Sequence, residues 1–246
     1  MNLSAGWTLF LFFILTLLAE ILGTIGGFGS SLFFVSLAQF FYDFQTVLAL
    51  TGLLHIFSNT AKLLLFRKTI QWKLVLTIGI SSVVLSIAGA WLTHLVSFFY
   101  AKLVLGIFLV ALSSFFFWKP GFRLAPVVSN SILGGSIAGF MAGFIGTGGA
   151  VRGLVLASFN LEKNLFVGTS AAIDFGVDLS RTLVYLNNQY LPRLMWVYIP
   201  ILLVASFLGS YLGKLVINKF SQETFRKVLL GLIFLMGITL IAGQAF

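Results

Sequence analysis

The heptapeptide Gly146-Thr147-Gly148-Gly149-Ala150-Val151-Arg152 interrupts a run of apolar residues with three glycines and then supplies a cation. Asp174, Asp178 and Arg181 follow about 25 residues further on. An ionisable group costs several kcal/mol at bilayer depth, and a glycine-rich break exposes backbone N–H groups that lipid cannot satisfy. Together these features predict a polar cavity inside a membrane protein.

The composition places the chain among polytopic membrane proteins. Its 246 residues are 59% hydrophobic and 9% charged, with a mean hydropathy of +1.09, whereas a soluble domain carries about 25% charged residues. Cysteine is absent, so we expect no disulfide and no thiolate metal site. The net charge of +9 does not indicate nucleic-acid binding, because Lys and Arg lie mostly in short connections between apolar runs. The first Lys or Arg is Lys62, so we expect no cleavable signal peptide.

The apolar runs predict an all-α fold. Runs of about 20 residues, long enough to cross a bilayer, lie near 7–25, 45–66, 74–94, 100–118, 127–146, 164–186, 194–215 and 228–245. Two shorter pieces, near 30–41 and 149–159, follow glycine clusters. A helix of 11 or 12 residues reaches only about 17 Å, which is too short to cross alone. We therefore expect one membrane domain, residues 1–246, with about eight full spans and two short half-helices.

The chain contains two similar halves, residues 1–118 and 127–246. Three matches occur in the same order: 25–29 with 145–149, 87–92 with 207–212, and 102–108 with 227–233. Ordered matches of this kind indicate an ancient repeat. Interrupted segments at corresponding positions of two halves are typical of a transporter binding site.

The distribution of Lys and Arg predicts the topology. If 7–41 and 127–159 are hairpins that return to their starting side, only Lys102 and Arg193 are separated from the other ten flanking basic residues. The ten are Arg67, Lys68, Lys73, Lys119, Arg123, Lys163, Lys214, Lys219, Arg226 and Lys227. If these segments instead crossed the membrane once, the twelve flanking basic residues would lie six on each side, which does not obey the positive-inside rule. We therefore predict both termini outside and two inverted repeats, each a broken-helix hairpin plus three transmembrane helices.

Superimposing the halves aligns one polar face of each central helix. The aligned pairs are His55 with Asp174, Asn59 with Asp178, and Lys62 with Arg181, each trio having the spacing i, i+4, i+7. Two carboxylates one turn apart repel unless they share a proton or a cation. We therefore expect Asp174 and Asp178, together with His55 or Glu20, to take up and release the coupling proton. The alternatives are polar pairing inside a helix bundle and, for Lys62 and Arg181, snorkelling towards the interfaces. Glu20 either titrates or pairs with one of those two cations.

Arg152 should fall in the first turn of the second short helix. The free N–H groups there favour an anion, and a guanidinium adds a fork suited to an oxyanion. The hydroxyl of Thr147 would be a further donor. The alternative is a salt bridge from Arg152 to Asp174 or Asp178 that only holds the hairpin in place. The matching turn of the first half has no basic residue, so we expect an asymmetric anion site.

These motifs resemble the TauE/SafE sulfite exporter family of permeases. The resemblance covers essentially the whole chain and is closest at 146–152, at Gly168-Thr169-Ser170-Ala171-Ala172-Ile173-Asp174 and at Val177-Asp178-Leu179-Ser180-Arg181. The first half departs from the usual glycine run, with Gly27-Phe28-Gly29-Ser30-Ser31. The resemblance implies proton-coupled transport of small sulfur oxyanions or organosulfonates, such as sulfite or sulfoacetate, across a bacterial inner membrane.

The predicted site thus has two parts, which meet at hairpin tips near the bilayer midplane. The predicted substrate-binding residues are Gly26, Gly27, Gly29, Ser30, Ser31, Gly146, Thr147, Gly148, Gly149, Arg152, Thr169 and Ser170. The predicted proton-coupling residues are Asp174, Asp178, His55 and Glu20, supported by Asn59, Lys62 and Arg181.

The sequence therefore predicts a secondary transporter that alternates access to a small anion. We expect no enzymatic activity, cofactor, metal or nucleic-acid partner. The expected partners are the anion, protons and the lipid bilayer, and the apolar surface leaves a homo-oligomer open. One alternative is an intramembrane enzyme that uses His55, Asp174 and Asp178, although no Gly-x-Ser-x-Gly or His-Glu-x-x-His motif occurs. The other is a passive anion channel, in which buried aspartates would repel the permeant ion.

Overall fold

The computed structural model of the chain describes residues 5–38, 41–92 and 98–243, and within those ranges the regular structure is helical. The helices are α1 Ala5–Gly26, α2 Ser31–Ala38, α3 Phe44–Phe66, α4 Trp72–Leu92, α5 Phe98–Trp118, α6 Val128–Ile145, α7 Gly148–Ser158, α8 Lys163–Asn187, α9 Ile199–Asn218 and α10 Gln222–Ala242. A short 3-10 helix, Arg193–Tyr198, precedes α9. The side chain of Lys102 and both chain termini, which enter the topology prediction, lie outside the described residues.

The prediction of an all-α polytopic membrane protein is confirmed. Six helical segments of the described chain are long and apolar enough to cross a bilayer: Leu9–Gly26, Phe44–Phe66, Trp72–Leu92, Val128–Ile145, Arg193–Asn218 and Gln222–Ala242. They correspond to six of the eight predicted runs. In α5 the described apolar stretch is the shorter Leu103–Trp118. In α8, which has 25 residues, the charged groups of Lys163, Asp174, Asp178 and Arg181 reduce the apolar character.

Two boundaries differ from the predicted ones, for identifiable reasons. α10 begins at Gln222 rather than near 228, because the Ser221 hydroxyl caps it by accepting the Thr224 N–H at 3.0 Å. The run predicted from 194 begins as a 3-10 helix, and α9 proper starts at Ile199, with Pro200 in its first turn. Proline suits that position because a helix leaves its first N–H groups unpaired.

The two short helices fold back on the helices before them. Gly146 closes α6 with a φ of +84°, and α7 then returns, so that the Leu124 N–H donates to the Ser158 carbonyl at 3.0 Å. In the first half the turn uses positive φ at Gly27 and Gly29, +71° and +97°. These are backbone conformations that glycine adopts without steric cost. Each half of the chain therefore contains a hairpin that ends in glycine.

Helices of each half pack against helices of the other half. α4 packs against α6 of the other half, and α9 packs against α1. At the first contact, a Cβ on Gly139 would lie less than 3.0 Å from the Ser82 carbonyl. At the second, a Cβ on Gly209 would lie 2.5 Å from the Cβ of Glu20. Small residues therefore let the backbones approach closely at both contacts. α3 and α8 face each other at the centre, and α5 pairs with α10.

One end of the molecule gathers basic residues from both halves. Lys214 Nζ donates to the Leu65 carbonyl at 2.7 Å, and Lys163 Nζ donates to the Ile217 carbonyl at 3.1 Å. A cleft of about 350 Å³ at this end is lined by Arg67, Lys68 and Lys214, among other residues. The hairpin topology requires such a grouping of basic residues. The inversion of the repeats and the side of the membrane that this end faces stay predictions.

Candidate functional site

The tips of the two hairpins touch. A Cβ on Gly149 would lie well under 3.0 Å from the Phe28 carbonyl oxygen, and a Cβ on Gly153 would lie 3.0 Å from the Phe28 Cβ. Gly29 lies beside His55, where an added Cβ would be 3.3 Å from the ring Cε1. Glycine is therefore needed here for close approach as well as for the turn. The tips lie against α3 at the position of His55, which is near the middle of that helix.

Among the described residues, seven acidic or basic side chains are buried around these tips. They are Glu20, His55, Lys62, Arg152, Asp174, Asp178 and Arg181, each no more than 6% exposed. Burying an unpaired charge is very costly, whereas pairing and hydrogen bonding offset much of that cost. Three carboxylates accordingly lie with three permanent cations. The snorkelling alternative for Lys62 and Arg181 does not apply, because both are enclosed by protein.

Arg152 connects the second hairpin to α8. Its guanidinium pairs with the Asp174 carboxylate, and its Nε donates to the Ser170 hydroxyl at 3.2 Å. The salt bridge weighed from the sequence is therefore present, and its partner is Asp174. A Cβ on Gly149 would lie 3.3 Å from the guanidinium, so the glycine also gives Arg152 its space.

Asp178 accepts hydrogen bonds from both central helices. Arg181 donates to one oxygen at 2.8 Å, and Asn59 Nδ2 donates to the other at 2.8 Å. His55 Nδ1 lies 3.4 Å from that second oxygen. Asn59 and Asp178, which align between the halves, are thus in direct contact. Each aspartate has its own guanidinium, which relieves the repulsion between them.

Arg181 also stabilises the end of α6. Its NH1 donates to the carbonyls of Ala142 and Gly146 at 3.2 and 3.4 Å, and the Tyr185 ring lies 6.0 Å away. A cation at a helix carboxyl terminus interacts favourably with the unpaired carbonyls there. Arg181 therefore holds the second glycine turn in position.

Glu20 pairs with Lys62 rather than Arg181. One carboxylate oxygen accepts from the Ser30 hydroxyl, and the other accepts from Ser58 and lies 3.6 Å from Lys62 Nζ. Lys62 Nζ also donates to Ser58 at 2.6 Å. The Ser30 hydroxyl lies 3.2 Å from His55 Nε2. Ser58 was not predicted, although it lies four residues before Lys62 on the same helical face.

The amino terminus of α7 carries polar groups without hydrogen-bond partners in the described part of the chain. Thr147 precedes this helix, but its side chain makes no capping hydrogen bond, and its buried hydroxyl has no hydrogen-bond partner within the described part of the chain. A buried polar group without a partner costs about 1–3 kcal/mol and calls for an explanation. An anion at this helix terminus would accept hydrogen bonds from the hydroxyl and from the free backbone N–H groups.

Other predicted site residues lie in different surroundings. The Thr169 hydroxyl accepts the Gln71 N–H at 2.9 Å, in the connection between α3 and α4. Ser31 begins α2 and is buried, and Gly26 ends α1. The assignment of these residues to substrate binding stays a prediction. No three His, Asp or Glu side chains among the described residues form a group suited to a metal ion.

Comparison with known proteins identifies relatives along nearly the full length. A family model described as Sulfite exporter TauE/SafE matches residues 12–240. A probable membrane transporter protein of Methanocaldococcus jannaschii is 27% identical over 255 aligned positions, which cover 93% of this chain and 93% of that protein. No solved structure matches the chain significantly.

Proposed function

Because this chain belongs to the sulfite exporter TauE/SafE family, it is a membrane transporter, and we propose that it carries a small sulfur oxyanion or organosulfonate together with protons. The observation that carries this proposal is the amino terminus of α7, where free N–H groups and the Thr147 hydroxyl, which has no hydrogen-bond partner among the described residues, lie one turn before Arg152. A tetrahedral oxyanion has enough acceptor oxygens for all three kinds of donor. We propose that the transporter lies in the cell membrane with its basic end in the cytoplasm.

Asp174 is the group that couples the anion to a proton. It holds Arg152 in an ion pair, so an incoming anion competes with the Asp174 carboxylate for the same guanidinium. A proton on Asp174 removes its negative charge and frees Arg152 for the anion. Proton and anion therefore favour one another at this site. The two halves then rock about the hairpin tips and open the site to either side in turn.

The first test measures anion binding by purified Arg152→Gln protein in detergent, with methanesulfonate and sulfite as probes. Losing one charge-assisted hydrogen bond costs about 1.5–3 kcal/mol, so affinity should fall by roughly 10- to 100-fold. Arg193→Gln is the control, because Arg193 is exposed at the start of the 3-10 helix and lies outside the site. Equal affinity of the Arg152 variant and the wild-type protein would contradict the proposed site.

Asp174→Asn separates the coupling role from the binding role. This variant keeps the shape of the side chain but cannot hold the guanidinium as an ion, so binding should become tighter and lose its dependence on pH. The double variant Arg152→Gln/Asp174→Asn removes both charges of the pair together, which keeps the buried charge balanced. It should fold and bind the anion with the same low affinity as Arg152→Gln. Uptake into liposomes that ignores the pH gradient would instead indicate a passive channel.

A further inference from the structure

Glu20, Ser30, His55 and Asp178 form one continuous row of contacts, here called the relay. The Ser30 hydroxyl contacts the Glu20 carboxylate and lies 3.2 Å from His55 Nε2. On the other side of the ring, His55 Nδ1 lies 3.4 Å from the Asp178 carboxylate. The relay therefore runs from α1 through the first hairpin tip and α3 to α8, and all four side chains are buried.

The relay needs more protons than its groups hold in their ordinary forms. Two of its contacts are hydrogen bonds and each takes one hydrogen, while the third, at 3.4 Å, places a ring nitrogen at ion-pair distance from a carboxylate. With both carboxylates ionised and the imidazole neutral, the Ser30 hydroxyl and one ring N–H supply two. The third contact requires one further proton, either as imidazolium or on a carboxylate. We infer that the relay stores one transported proton in this conformation, with Ser30 as the positioning residue that joins Glu20 to His55.

The other charges of the relay and its neighbours cancel one another, so the stored proton gives the site a net positive charge. The charged neighbours of the relay are Lys62 on α3, Arg152 on α7, and Asp174 and Arg181 on α8. α9 contributes hydroxyls at its described contacts with α3, from Ser206 and Ser210 on the Leu54 and Ser58 carbonyls. Three carboxylates balance the three permanent cations, so the stored proton leaves a charge of one positive unit.

A buried net charge is costly until an opposite charge joins it. One monovalent anion at the amino terminus of α7 would restore neutrality. This step rests on the proposed function and adds two things to it: the bound cargo carries a single negative charge, and the relay's proton, which passes to Asp174 when the anion takes Arg152, is the one proton that accompanies each anion. The first half then supplies most of the proton site, and the second half supplies the anion site.

The wild-type protein in liposomes tests the stoichiometry directly. Methanesulfonate is the probe, because a sulfonate stays ionised and the counted proton cannot come from the cargo. A pH-sensitive dye inside the vesicles counts protons, and labelled methanesulfonate counts anions. We expect about one proton per anion, and uptake should not respond to a membrane potential set with potassium and valinomycin. Uptake with no accompanying proton, or uptake driven by the potential, would overturn the relay but leave an anion transporter standing. The absence of any sulfonate or sulfite uptake would instead remove the proposed function.

Ser30→Ala tests the bridging hydroxyl. The variant breaks two of the three contacts, so the number of protons carried per methanesulfonate should fall by at least about tenfold. Thr51→Val is the matched control, since Thr51 is equally buried on α3, one turn before His55, and donates to the Val47 carbonyl of its own helix. Its ratio should stay at the wild-type value. If Ser30→Ala fails to fold, His55→Gln provides the same comparison. An unchanged ratio in the folded variant would overturn the inference.

Discussion

Gly209→Ala should weaken the contact between α9 and α1 at the position of Glu20. The new Cβ would lie 2.5 Å from the Glu20 Cβ and 3.2 Å from the Leu17 carbonyl oxygen, whereas ordinary contact begins at 3.4 Å. The two helices must therefore separate by roughly 0.9 Å, because the Glu20 Cβ is fixed to the backbone and cannot rotate away. Overpacking of this kind costs about 1–3 kcal/mol.

Thermal unfolding in detergent measures this cost. For a chain of this size, each kcal/mol lowers the melting temperature by about 2–4 °C, so we expect a decrease of roughly 2–12 °C. Displacing α9 from α1 also moves the Glu20 carboxylate from Ser30 and Ser58, so the number of protons carried per anion should fall. Both readouts come from the same purified protein, before and after its reconstitution into liposomes.

Two other glycines provide controls for Gly209→Ala. At Gly213, on the same interface, an added Cβ would lie 2.6 Å from the Thr24 Cβ, so Gly213→Ala should lose stability and keep its proton coupling. Around Gly231 in α10, an added Cβ would meet no atom of the described chain within 4 Å, so Gly231→Ala should be neutral or slightly stabilising. If the melting temperature of Gly209→Ala equals that of Gly231→Ala, the close approach of α9 to α1 does not exist as described.

Two further predictions concern the ends of the molecule. Burial acts to raise the pKa of Asp43, but hydrogen bonds from Thr46 outweigh it and hold the pKa below 3.8. The stabilisation by the ionised Asp43 side chain is therefore present above pH 3.8 and is lost as the pH falls through the folded-state pKa. Asp43→Ala should therefore cost about 1 kcal/mol at neutral pH, while Asp43→Asn keeps the cap and loses the acid dependence; identical melting curves at pH 7 and pH 3 for the wild type would contradict this. Changing Arg67 and Lys68 to Gln should slow methanesulfonate uptake severalfold at low ionic strength and have little effect near 1 M salt, where screening acts over about 3 Å. A reduction that is insensitive to salt would argue against electrostatic attraction by the cleft.

Hydropathy predicted most of the helices because the cost of crossing a bilayer is local in sequence. The span predicted at 164–186 is α8, Lys163–Asn187, and the short pieces are α2 and α7. Hydropathy misses a polar first turn, as at Gln222, because a capped helix can begin in water before it enters the apolar region. It also misses the 3-10 helix before α9, whose geometry depends on the following turn rather than on apolar content.

Helical periodicity placed the buried charges on shared faces but could not assign their partners. The trios on α3 and α8 do face each other, as the contact of Asn59 with Asp178 shows. Whether Arg152 would reach Asp174 or Asp178 depended on how deep the second hairpin turns back, which spacing along one helix does not contain. Ser58 escaped notice because its aligned position in the second half is Val177, so the comparison of halves revealed no polar pair.

The exchanged packing of α4 on α6 and of α9 on α1 has a consequence for biogenesis. When the ribosome has completed the first half, the surface of α4 around Ser82 still awaits α6, which has not yet been synthesised. The early helices must therefore wait in the membrane, loosely associated, until the later ones insert between them. Neither half is then a self-sufficient folding unit, so a substitution at the interface between the halves requires a matching change on the helix that packs against it.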